Sequence, residues 1–203
     1  MKKNSGLLLF RQTALVFILL YLSAGAVTEA REFRLLASSG LFNFRQTEFR
    51  EVYGGLNLFG LAAEFYAGNH FGLATGIVLA KGQGEALTIE GDPASFPVSF
   101  SRWSFPFLLK YRVLAGRLQL AAGAGVAYSV YEESWLDVDL SSRGKRLHFR
   151  GEINADFRLT GRLFLRAGAN WELIPTGFRS LLSGGENVNL AGFSFLGGLG
   201  FKL

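Results

Sequence analysis

The strongest signal in the chain is alternation with a period of two. From Leu147 to Leu159 the odd positions are Leu147, Phe149, Gly151, Ile153, Ala155, Phe157 and Leu159. The even positions are His148, Arg150, Glu152, Asn154, Asp156 and Arg158. Beyond Thr160-Gly161 the pattern resumes. Leu163, Leu165, Ala167, Ala169, Trp171 and Leu173 oppose Arg162, Phe164, Arg166, Gly168, Asn170 and Glu172. Successive side chains of a strand point to opposite faces, so this period predicts two β-strands, each with one apolar and one polar face. Both runs exceed the usual strand of about five or six residues. Long alternating strands joined by a tight turn suit a membrane-spanning barrel.

Looser alternation predicts six more strands. The first runs from Phe33 to about Phe44 and leaves its two faces unassigned; residues 43–52 are polar and read as a loop. The second, about Gly54 to Ala67, sets Phe59, Leu61, Ala63 and Phe65 against Gly60, Ala62, Glu64 and Tyr66. The third, His70 to about Gly82, sets Phe71, Leu73, Ile77 and Leu79 against small residues. In the fourth, about Val98 to Leu114, Trp103, Phe105, Phe107, Leu109, Tyr111 and Val113 oppose Arg102, Ser104, Lys110 and Arg112. Pro106 cannot donate to a ladder and is expected near the end of the spanning part or at a bulge. The fifth strand starts at Leu118. The last, Val188 to Lys202, sets Phe193, Phe195, Leu199 and Phe201 against Ser194, Gly198 and Gly200. Short turns fall at Gly68-Asn69, Ala115-Gly116 and Thr160-Gly161, and long loops at 83–97, 132–145 and 176–187. The fold class is therefore all-β: a closed eight-stranded antiparallel up-and-down transmembrane β-barrel over residues 31–203. Its short turns are periplasmic and its long loops extracellular.

Volume decides which face is outward. The interior of an eight-stranded barrel is just wide enough for side chains. The apolar face, with two tryptophans and many phenylalanines, is too bulky for it, whereas the Gly, Ala and Ser of the other face fit. Phe71, Trp103, Phe107, Tyr111, Phe157, Leu163, Leu165, Trp171, Phe195 and Phe201 are accordingly expected against lipid. The lumen receives Glu64, Arg102, Lys110, Arg112, Arg150, Glu152, Asp156, Arg158, Arg162, Arg166 and Glu172. Buried charges must pair. With Thr160-Gly161-Arg162 as the turn, Asp156 faces Arg166 and Arg150 faces Glu172. A shift by two residues would oppose Arg158 to Arg162, like to like.

Composition refines this picture. Of 203 residues, 26 are glycine and 20 phenylalanine, and there is no cysteine, hence no disulfide or thiolate site. Lys2, Lys3 and Arg11 lead into an apolar run, Thr13 to Leu22, then Ser23-Ala24-Gly25-Ala26. This is the layout of a secretory signal peptide over residues 1–26, cleaved after Ala26, with Ala30 as the alternative. Its removal takes away three basic residues and no acid, lowering the net charge from +5 to +2. No basic run has the density that nucleic-acid binding needs.

The stretch Phe105-Pro106-Phe107-Leu108-Leu109-Lys110-Tyr111-Arg112 resembles the Pro-Leu-Leu-Leu-Lys-Tyr-Arg strand of PorT-like barrels, and Glu64 to Gly84 resembles their second hairpin. The whole mature chain is similar to the small outer-membrane barrel families, among them OmpX and the OmpA barrel. The resemblance implies an outer-membrane protein of a Gram-negative-type envelope. The last strand, with Phe195, Leu199, Phe201 and Leu203, resembles the signal read by the barrel-assembly machinery, although it ends in Leu203 rather than an aromatic.

Candidate chemistry is sparse. His148 is expected inward and His70 at a periplasmic turn, with no cluster of metal ligands around either. No Ser–His pair faces lipid, as a lipid-modifying enzyme would need. The Gly197-Gly198-Leu199-Gly200 stretch is a strand of small inward residues, without the helix of a phosphate loop. Tyr128, Tyr131 and Trp135 read as interface aromatics. No catalytic residue, metal or cofactor is expected. The expected partners are outer-membrane lipid, the assembly machinery and an extracellular ligand, on a monomeric barrel with a structural or interaction role. A narrow pore, a lipid-modifying enzyme and a soluble ligand-binding barrel are the alternatives.

Overall fold

The computed structural model describes residues 30–87, 95–137, 140–174, 178–182 and 187–203; the predicted signal peptide lies outside them. Eight strands close into one antiparallel barrel: β1 (Ala30–Phe44), β2 (Gly55–Ala67), β3 (Phe71–Leu87), β4 (Ser95–Ala115), β5 (Leu118–Trp135), β6 (Leu140–Arg158), β7 (Leu163–Leu173) and β10 (Gly192–Lys202). Each pairs with its neighbour in sequence, and β10 closes on β1. Two short strands, β8 (Phe178–Arg179) and β9 (Asn187–Val188), form a separate pair within the β7–β10 connection. Closure leaves no strand of the barrel with an unpaired edge, as a chain in hydrocarbon requires.

The short turns gather on one rim. Gly68 (φ 66°) and Gly116 (φ 61°) take the left-handed conformation that glycine adopts without penalty. At the third turn, Leu159 N donates to Leu163 O (2.9 Å) and the Thr160 hydroxyl accepts from Leu163 N (3.0 Å). That fixes the β6–β7 register, with Asp156 opposite Arg166 and Arg150 opposite Glu172.

The outer face is the apolar one. Leu109 is 68% exposed and Phe59 60%. Phe71, Trp103, Tyr111, Phe157, Leu165, Trp171, Phe195 and Phe201 are likewise exposed, with Phe107 and Leu163 half-buried on the same face. On β4 this band runs from Trp103 to Val113, matching the roughly 9–11 residues a spanning strand needs.

Four features differ from the sequence-based expectation. First, β3 to β6 continue past the band, so that Ser141 to Gly144, within the predicted loop 132–145, are ladder residues paired with β5. Second, part of the predicted loop 43–52 is a helix, α1 (Thr47–Tyr53), ended by Gly54 (φ 60°). Its Phe49 and Tyr53, four residues apart, share a face and are buried. Third, Pro106 sits in mid-strand opposite Ala127, without a bulge. The β3–β4 ladder is interrupted between Thr75 and Val78, and the Thr75 hydroxyl donates to Pro106 O (3.1 Å). Fourth, bulky side chains do enter the barrel. Phe42, Phe44, Phe49, Tyr53, Leu56, Phe100, Tyr131 and Phe178 form one core at the end away from the short turns. Tyr131 is fully buried there and is no interface aromatic.

Candidate functional site

The lumen holds the chain's concentrated chemistry. Inward parity on β1, β2, β4, β6 and β7 brings charged side chains together along the axis. Glu64 of β2 is the first hub. It accepts from Arg166 Nη1 (2.5 Å) and Nη2 (3.0 Å) and pairs with Lys110. Lys110 also reaches Glu152 (2.6 Å). Arg166 bridges sideways to Asp156 through Nε (2.6 Å) and Nη2 (2.7 Å). Glu172 of β7 is the second hub, contacted by Arg102 (2.6 Å), Arg150 (3.3 Å) and His148 (3.5 Å). The two pairings expected from the hairpin register therefore sit inside larger clusters.

Near the short-turn rim the network recruits residues of β1 and β10 that sequence reasoning left out. Arg34 bonds Asp156 (2.9 Å) and Gln119 (2.6 Å) and pairs with Glu32. Glu32 also takes Arg112 (2.8 Å) and Lys202 (2.8 Å). The signal that could have found Arg34 is its position directly opposite Glu64 in the β1–β2 register. Two positions named with the network lie outside it. Arg158 and Arg162 have inward parity but sit at the open mouth, exposed and without an ion pair to the described residues. Beyond Asp156 the strand has reached the rim, so solvent replaces the partner.

Guanidinium groups also pack on rings. Arg112 lies over Tyr66 (3.7 Å), Arg102 over Phe42 (4.2 Å) and Arg34 over Phe164 (4.8 Å). Arg102 thus joins the charged half to the aromatic half. In the latter, Phe44–Phe49 and Phe44–Phe100 centroids lie 5.1 and 5.4 Å apart, within the favoured range for ring pairs. The space left among Leu58, Glu64, Leu108, Arg150 and Asn170 is about 60 Å³, which holds a few waters and nothing larger.

Solved structures that superpose on this chain include small outer-membrane barrels. OprG from Pseudomonas aeruginosa superposes with a TM-score of 0.59 at 14% identity, over 86% of this chain and 97% of that one. A major outer membrane protein from Thermus thermophilus gives 0.58 at 13%, over 85% and 98%. Neisserial surface protein A gives 0.53 at 11%, over 85% and 95%. The fold is that of the small eight-stranded outer-membrane barrels. No protein-family model matches the chain, and no curated protein sequence does. On a barrel of this fold the exposed leucines and phenylalanines form a band suited to face hydrocarbon.

The remaining candidates are placed as follows. His148 is buried beside Glu172. His70 sits at the β2–β3 turn, its Nδ1 3.0 Å from Arg112 O and its ring stacked on Tyr111. Among the described residues neither has a serine hydroxyl partner, and no three His, Asp or Glu form a metal-sized cluster. Outside the membrane band, Glu133 accepts from Leu181 N (3.2 Å), Leu182 N (3.3 Å) and Trp135 Nε1 (3.4 Å), fastening the segment after β8 to the wall. Burial, reinforced by the Glu133 charge, pushes the Tyr53 phenol well above its ordinary range.

Proposed function

We propose that this protein is a sealed, monomeric outer-membrane barrel. It acts without catalysis, as an envelope component that presents its extracellular elements for interaction. The observation that carries the reading is the double filling of the lumen: an aromatic core at the extracellular end and a charge-paired plug toward the periplasm. A through-path for solutes would have to breach both. The long β4, β5 and β6, of 21, 18 and 19 residues, contrast with the 11 of β7 and β10. They lift a wall above the band, fastened to α1 and the β8 segment. Such a surface suits contact with an extracellular ligand. Outer-membrane lipid is the surrounding partner, and the barrel-assembly machinery acts during biogenesis.

The test is electrical and chemical. In planar bilayers the purified protein is expected to give no ion steps; reproducible steps would establish the pore instead. Mass spectra of lipid A from membranes with and without the protein are expected to coincide, and a protein-dependent mass change would establish a lipid-modifying enzyme.

A further inference from the structure

The short-turn mouth carries more cations than the plug uses. Arg34 of β1, Arg117 and Arg162 of two turns, Arg158 of β6 and Lys202 of β10 line one cleft there, with Gln119, Asp156 and Phe164. The ladders oppose these cations like to like. Arg34 and Lys202 are register partners. Arg158 N donates to Arg117 O (2.9 Å) and Lys202 N to Arg162 O (2.7 Å), so those residues also face each other across strands. Like charges directly opposite destabilise a sheet. The acids nearby are already engaged: Asp156 by Arg34 and Arg166, Glu32 by Arg34, Arg112 and Lys202. Arg117, Arg158 and Arg162 make no ion pair with the described residues.

Solvation at a rim accounts for the exposure of these arginines. It accounts neither for the repeated like-to-like opposition nor for a second feature of the same cleft. Gln119 is only 5% exposed; its carbonyl accepts from Arg34, while its Nε2 has no partner among the described residues. A buried amide donor without an acceptor is costly. Three uncommitted guanidinium groups beside a lone amide donor make a concave set of donors with excess positive charge. Planar guanidinium forks match phosphate oxygens two at a time.

We propose that this mouth binds a phosphate-bearing anion presented from the periplasm. Phosphate can arrive there as a soluble ester or as the headgroup of an anionic phospholipid at the same rim. The first arm titrates the protein in maltoside micelles with pyrophosphate by calorimetry at low salt. Saturable binding, one per barrel, is expected. It should weaken at least tenfold in Arg158→Gln/Arg162→Gln and remain unchanged in Arg143→Gln, which lies at the opposite rim. The second arm places wild type and the double variant in nanodiscs containing phosphatidylglycerol and counts retained lipid by native mass spectrometry. Retention by wild type alone supports the site with lipid as its source, whereas pyrophosphate binding without it assigns a soluble source. No binding in either arm, or binding equal in wild type and double variant, overturns the proposal. Both substituted side chains are exposed, and the single variant Arg117→Gln, expected to weaken binding in the same direction, repeats the test should the double variant fold poorly.

Discussion

At the scale of single residues, the lumen distinguishes groups that are committed from groups that are not. Glu64 serves two cations at once. Replacing it by Gln leaves Lys110 and Arg166 partly uncompensated in a buried site, a change that costs ~3–5 kcal/mol. The urea midpoint of the folded barrel in lipid vesicles should fall accordingly; an unchanged midpoint would mean that water already screens this cluster. Tyr53 is the opposite case. Its hydroxyl is buried without a partner among the described residues, so Tyr53→Phe removes a polar group that gains nothing and should leave stability at neutral pH equal or higher. The pH dependence has a definite sign. The folded state holds the phenol proton more tightly than the unfolded chain does, so stability is fully present below about pH 10 and declines above it as the unfolded chain ionises. Unfolding midpoints at pH 8 and pH 11 should diverge in wild type and diverge less in Tyr53→Phe.

At the scale of elements, the β6–β7 hairpin is legible in the sequence because both of its faces alternate without a break and like-charge opposition excludes the neighbouring register. β1 is not, since Leu35-Leu36 and Leu41-Phe42 put apolar residues on both faces. Its inward set, Arg34, Leu36, Phe42 and Phe44, becomes readable only against β2. α1 is hidden by its seven-residue length, although Phe49, Val52 and Tyr53 carry helical spacing. Glycines separate the faces in a way that can be measured. A methyl on Gly125 would collide with Phe107 O, which is backbone of the next strand. One on Gly151 would collide with the Trp171 indole, a side chain free to swing into lipid. Gly125→Ala should therefore cost about 1–3 kcal/mol and Gly151→Ala a fraction of that, read as the difference between their unfolding midpoints. Equal losses would show that Trp171 is held as firmly as the backbone.

At the scale of the whole molecule, side-chain volume accounts for the apolar residues exposed on the outside of the barrel from Trp103 to Val113 but does not govern the entire lumen. It would do so only in a barrel no longer than the membrane. The wall here rises past the band, and in that extension Phe42, Phe44, Phe100 and Tyr131 meet α1 and Phe178. Nothing in strand periodicity distinguishes an inward phenylalanine above the membrane from an outward one within it, so this half of the plug needs three-dimensional contacts to be seen. The two halves are then barriers in series, and resistances in series add. Arg166→Ala opens the charged half only and should leave planar bilayers silent. Phe100→Ala with Tyr131→Ala thins the aromatic half only and should also be silent. Combining all three substitutions should yield small ion steps, provided that heat-modifiable gel migration shows the barrel still folded. Conductance from either half-opened variant would mean that the other half does not seal, and the lumen would then be a gated path rather than a filled core.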